Sequence, residues 1–149
     1  MSLIEQKLFS LGIKLESPKS PVANYLGTKR VGNLLFVSGR KSDLIGEVGT
    51  DVTEEQAKKA SQETVIHLLS IIKNDINDLD LIIGVVKLQG FIRSARTFTG
   101  QPFVLDGASE LLIELFGENG RHARTATGVA QLPFGASVQL EMILELKTA

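Results

Sequence analysis

A chain of 149 residues, 43% of them hydrophobic, has the length and composition of one domain with a substantial core. A formal net charge of −1 carries no basic footprint for nucleic acid and argues against it as a partner. There are no cysteines and only two histidines, which argues against disulfides, thiolate chemistry and a dedicated metal site, and no apolar run approaches the roughly 18 residues of a membrane span.

The opening MSLIEQKLFSLG lacks the basic start and apolar stretch of a secretory signal, so a soluble cytoplasmic protein is expected. The spacing predicts a short amphipathic helix from Ser2 to Leu11. Leu3, Ile4, Leu8 and Leu11 share a face, and Gly12 provides a stop. Pro18 and Pro21 make Glu16 to Val22 extended or loop. Two strands follow, Tyr25–Val31 and Leu34–Ser38, joined by a Gly32-Asn33 hairpin turn. The continuous run Leu34-Leu35-Phe36-Val37 predicts a strand covered on both faces. Ser38 and Gly39 end it, and backbone next to a glycine can approach a ligand closely.

Arg40 to Asp51 reads as loop. Thr53 with Gln56 then forms a capping box, and Glu54 and Glu55 suit a helix N-terminus. The helix buries Ala57, Ala60, Thr64, Val65, Leu68, Leu69, Ile71 and Ile72. His67 sits near the edge of that face, in a solvated or packing role. LIIGVVKLQGFIR, residues 81–93, is a β-rich run in which Gly84 and Gly90 signal bulges or close packing. Thr97 to Val104 is a connection containing Pro102. A second helix ends at Phe116-Gly117, with Leu111, Leu112, Leu115 and Phe116 on its buried side.

Gly120 to Leu146 reads as two strands around a Leu-Pro corner. The second alternates cleanly: Val138, Leu140, Met142, Leu144 and Leu146 point one way and Gln139, Glu141 and Glu145 the other. In the first, Ala126, Gly128 and Ala130 make a face of small residues that also carries His122 and Arg124. Such an Arg either pairs with a nearby carboxylate or receives an anionic ligand. The order β-β-α-β-α-β-β after an N-terminal helix predicts an α+β fold, a mixed sheet with both long helices on one face. The other face, expected to hold Ala126, Gly128 and Gln139, has no chain left to cover it, so association with copies of itself is expected.

No phosphate-binding glycine loop and no G-x-S-x-G nucleophile elbow occurs. HARTATGVAQLPFGASVQLEMI does resemble the C-terminal signature of the RidA family, also called YjgF or L-PSP endoribonuclease-like: an Ala-Arg pair, a short strand, Leu-Pro, then an acidic-apolar strand. Tyr25…Gly32-Asn33…Val37-Ser38-Gly39 resembles the N-terminal signature, and Leu79-Asp80 also fits. The resemblance covers Tyr25 to Leu146. The N-terminal helix and VLDGASELLIELFGENGRHAR are similar to a longer branch of the family.

The resemblance implies a chorismate-mutase-like fold and a homotrimer whose inter-subunit clefts bind small carboxylates. It implies a hydrolase that deaminates 2-enamines and 2-imines, such as 2-aminoacrylate, to 2-keto acids and ammonia, with no cofactor and no metal. Arg124 matches the residue that holds the substrate carboxylate. Ser38 and Gly39 match the strand end lining the cleft, and Tyr25 matches the Tyr at its edge. Ala126 belongs to the small-residue wall beside Arg124. Where many deaminating members place an Asn, Ser109 or Asp106 stands here. Gln139 occupies a position that is often Glu; it can hold a water but takes no proton from it. A non-catalytic carboxylate-binding or regulatory trimer is the alternative, and the near-neutral charge argues against the ribonuclease of the family's older name.

Overall fold

The structure is a computed structural model and describes residues 1–18 and 23–148. The elements are α1 (Leu3–Ser10), β1 (Thr28–Val31), β2 (Leu34–Lys41), α2 (Glu54–Ile76), β3 (Ile82–Arg93), α3 (Gln101–Phe116), β4 (Ala123–Val129) and β5 (Val138–Leu146). The strands form one mixed sheet in the order β1-β2-β5-β3-β4, parallel only between β3 and β4. α2 and α3 pack together on one face, the architecture expected from the element order. α1 is the extra N-terminal helix.

Local chemistry sets the helices. In α1 Ser2 and Glu5 exchange capping bonds, and in α2 Thr53 and Gln56 do the same. Pro102 lies in the first turn of α3, not in the preceding connection. The first N–H groups of a helix have no intrahelical acceptor, so a proline costs nothing there. α2 and α3 approach closely because Gly107 has no side chain; a Cβ there would run into the Lys58 carbonyl oxygen. Ser61 Oγ donates to the Val104 carbonyl across the same contact at 2.7 Å.

The inward faces of β5, β3 and β2 supply the floor of the core. Val138, Leu140, Met142, Leu144 and Leu146 are all buried, with Leu88, Ile92, Leu35 and Val37 beside them. Each such side chain contributes roughly 1.5–3 kcal/mol on burial.

Three strand expectations change. β2 runs through Ser38 and Gly39 to Lys41 instead of ending there. The strand predicted for Tyr25–Val31 is shorter, Thr28–Val31, because Ser38 takes the carbonyls just before it: its N–H bonds Gly27 O at 2.9 Å and its hydroxyl bonds Leu26 O at 2.6 Å. β2 is covered on one face only; Leu34 and Phe36 are 37% and 42% exposed, since both long helices lie on the opposite side. Residues 16–18 lack regular structure, in keeping with the extended or loop reading, and the rest of that segment, 19–22, lies outside the described residues.

Candidate functional site

β4 is an edge strand, and its register decides where its side chains go. Arg124 pairs with Leu88, Ala126 with Gly90 and Gly128 with Ile92. Leu88 and Ile92 face the helices, so Arg124 and its small neighbours face them too. This corrects the expectation that Ala126 and Gly128 share the uncovered face with Gln139. Gln139 pairs with Phe91 on the opposite side, beside Glu141 and Ile143. Arg124 and Gln139 therefore project from opposite faces of the sheet within one chain.

At the rim of the sheet the Arg124 guanidinium reaches one stripe of α3. Nη1 donates to Asp106 Oδ1 at 2.7 Å and to Ser109 Oγ at 3.1 Å, and Nη2 donates to the Pro102 carbonyl at 3.2 Å. Residues 102, 106 and 109 follow the i, i+4, i+7 spacing of one helix face. Of the two fates open to Arg124 in the sequence, the structure thus shows pairing with a carboxylate. The pairing is through one nitrogen. A guanidinium has five N–H donors. Three are engaged, and Nε–H and one N–H of Nη2 have no partner among the described residues. Nε and Nη2 border the same edge of the planar group, the kind of edge that receives a carboxylate. The side chain is 26% exposed, so solvent reaches part of it.

His122, two residues before Arg124, joins the same set. Its Nε2 lies 2.9 Å from Ser109 Oγ and its Nδ1 lies 2.6 Å from the Gly120 carbonyl oxygen. Ser109 is buried and Asp106 half exposed. Sequence reasoning placed His122 on the Arg124 face but gave it no partner; the spacing of 102, 106 and 109 was the readable sign of a ledge for Arg124.

The remaining expected residues cluster elsewhere. The register of β2 against β5 slips between Val37 and Arg40, so Ser38-Gly39 forms a bulge. Gly39 then faces Gln139 closely, and a Cβ on it would lie 3.1 Å from the Gln139 amide nitrogen. The bonds from Ser38 to Gly27 and Leu26 tie the half-exposed Tyr25 segment to this bulge. A hollow of about 270 Å³ lies on the same uncovered face, lined by Lys29, Phe36, Ser38, Lys87, Gln89 and Glu141. A cavity of about 920 Å³ lies elsewhere, between α1 and the C-terminal part of α2. His67 meets Asp43, with Nε2 to Oδ2 at 3.2 Å, in neither cluster.

Among the described residues no group of three or more His, Asp or Glu is gathered to hold a metal ion, and no helix is long and apolar enough to cross a membrane.

Comparisons with known proteins agree with this architecture. A family model described as "YjgF/chorismate_mutase-like, putative endoribonuclease" matches residues 5–146. Protein TCP17 of Trypanosoma cruzi is 39% identical over 96% of this chain and 94% of its own. The crystal structure of Atu1372 from Agrobacterium tumefaciens superimposes with a TM-score of 0.89 at 39% identity, covering 97% of this chain and 92% of that one. That of a "putative endoribonuclease" from Shewanella oneidensis gives 0.92 at 28% identity, covering 96% and 99%. With the sheet order, the two-helix layer and the Arg-bearing edge strand in place, the chain belongs to the YjgF, or RidA, family.

Proposed function

We propose that the protein is a homotrimeric hydrolase that converts reactive 2-imino acids, and the 2-enamines in equilibrium with them, to 2-keto acids and ammonia. The supporting observation is the geometry of Arg124: Asp106, Ser109 and Pro102 orient its guanidinium, and Nε–H and one Nη2–H remain for a substrate carboxylate. Orientation settled before the ligand arrives lowers the entropic cost of binding.

The cleft joins two copies. Arg124 and the Ser38–Gly39–Gln139 cluster project from opposite sheet faces, so a ligand touching both takes Arg124 from one subunit and the cluster from another. The uncovered face supplies apolar contact for assembly through Phe36, Val86 and Ile143, of which Phe36 and Val86 are 42% and 40% exposed in the isolated chain. Water held by Gln139 and the backbone near Gly39 adds to the imine carbon. The C–N bond of the resulting carbinolamine breaks, nitrogen leaves as ammonia, and the carbonyl of the 2-keto acid remains. An imine is electrophilic, so placing water replaces much of what a strong base would supply.

The test is release of ammonia and keto acid from freshly generated 2-aminoacrylate. Arg124→Ala is expected to lower kcat/KM by roughly tenfold to a hundredfold, the worth of a charge-assisted hydrogen bond. Wild type and Arg124→Ala both inert above the spontaneous rate would refute the reading.

Gln139 favours a second reading, a carboxylate-binding regulator without turnover. Then 2-ketobutyrate raises Tm through linkage, with no product formed.

A further inference from the structure

The bonds among Gly120, His122, Ser109 and Arg124 leave little choice about where each proton sits. Arg124 is donor-only, so Ser109 Oγ accepts from Nη1. The Gly120 carbonyl is acceptor-only, so His122 donates to it from Nδ1. The hydroxyl proton of Ser109 is then available to Nε2 of a neutral His122, 2.9 Å away. With His122 neutral, one pattern satisfies every contact: Arg124 donates to Ser109, Ser109 to His122, and His122 to the Gly120 backbone. Ser109 is 8% exposed, so water has little access to replace a missing partner.

We infer that His122 is a positioning residue that acts through Ser109 to set the orientation of the Arg124 guanidinium. The inference deepens the reading of Arg124 as a carboxylate holder and rests on it for its functional meaning. Asp106 and Pro102 hold one end each of the guanidinium; Ser109 adds a second contact on Nη1 and so further resists rotation about the Nε–Cζ bond. A serine hydroxyl rotates freely unless its proton has an acceptor, and His122 provides one while the Gly120 carbonyl keeps the imidazole in the matching tautomer. The backbone next to β4 thus fixes, through two side chains, a group that β4 itself carries. In this account His122 does not touch substrate.

The experiment uses full-length ligand-free protein with nitrogen-labelled arginine and histidine, and the Arg124 signals are assigned by their loss in Arg124→Lys. Above neutral pH, His122 of the wild type should show the Nδ1–H tautomer, and rotation about the Arg124 Nε–Cζ bond should be slow. Ser109→Ala and His122→Phe should each speed that rotation by about threefold or more, and the double variant should be no faster than either single one. His122→Gln, whose amide can accept from Ser109, should stay close to wild type. Titration with 2-ketobutyrate should show about two- to tenfold weaker binding for Ser109→Ala and His122→Phe, the range expected for one neutral hydrogen bond.

An Nε2–H tautomer in the wild type overturns the inference. So does rotation that is unchanged in His122→Phe, or sped by Ser109→Ala alone. If His122→Phe does not fold, the wild-type tautomer with Ser109→Ala and His122→Gln decides the matter. Slow wild-type rotation that depends on His122, in a protein that binds no carboxylate, would leave the relay standing while the proposed function fell.

Discussion

A guanidinium next to a carboxylate is commonly a closed pair, with little left for a ligand. At Arg124 the geometry departs from that, because Asp106 bonds only Nη1, which it shares with Ser109, while a backbone carbonyl takes one N–H of Nη2. The Asp106 charge offsets that of Arg124, so the proposed recognition of a carboxylate rests on the shape of the donor edge more than on net attraction. The second site residue invites the opposite change. In the proposed role Gln139 holds a water and takes no proton from it, whereas a carboxylate there would act as a base, and Lys41 stands opposite it in the β2–β5 register to accommodate the new charge. Gln139→Glu is expected to raise turnover of 2-aminoacrylate at least about tenfold, below the usual two to four orders of magnitude for general bases because imine hydrolysis depends less on one. Turnover unchanged or lowered, with binding intact, would remove Gln139 from the water-holding role. Arg124, Ser109 and Gln139 were all legible as polar residues at marked places in strands or helix. Their bonding was not, since it depends on which helix face meets which strand edge.

At the scale of elements, α1 shows how a peripheral helix is attached. The Asp80 carboxylate accepts the Leu3 and Ile4 N–H groups at 2.8 and 3.0 Å, capping the N-terminus of α1 from outside. Lys7 donates to the Leu115 carbonyl, Glu5 pairs with Lys73, and Ile4 and Leu8 enter the core. Burial pushes the Asp80 carboxyl upward. The Leu3 and Ile4 N–H groups, the Ser2 side chain and the Lys147 charge outweigh it and hold the carboxyl below its ordinary 3.8. A group with a lowered folded value stabilises fully above its unfolded value and loses that contribution as pH falls through the folded one. Asp80→Asn is therefore expected to lower Tm at neutral pH, and the gap to wild type should close as pH drops below 3.8. A gap independent of pH would show that the charge is not what anchors α1. The Thr53–Gln56 capping box was readable because it is local, as was the hairpin turn. The true start of β1 was not, because carbonyl bonds from Ser38, eleven residues after Gly27 in the chain, displaced it.

For the whole molecule, the decisive feature is a sheet with helices on one side only. Ile143 stands on the uncovered side between Phe36 and Lys87 in register. Ile143→Glu places a charge where the subunits are proposed to meet, away from the core. The chain is expected to stay folded by circular dichroism, to sediment as a smaller species than wild type, and to lose imine hydrolysis as the two halves of the cleft separate. Unchanged sedimentation, or a wild type that is itself a monomer at micromolar concentration, would remove the proposed inter-subunit cleft.

Much was determined by the sequence alone. Alternation along β5 marked its buried side, the long apolar stripe marked α2, and the Ala-Arg and Leu-Pro motifs marked the family, because each is written in neighbouring residues. Only the tertiary structure decided that β5 runs through the middle of the sheet and that Arg124 and Gln139 face opposite ways. Alternation states which residues of one strand share a side, but not how that side aligns with another strand. Within Ala123–Val129 the small residues make both sides nearly alike, so the parallel pairing with β3 assigns the faces.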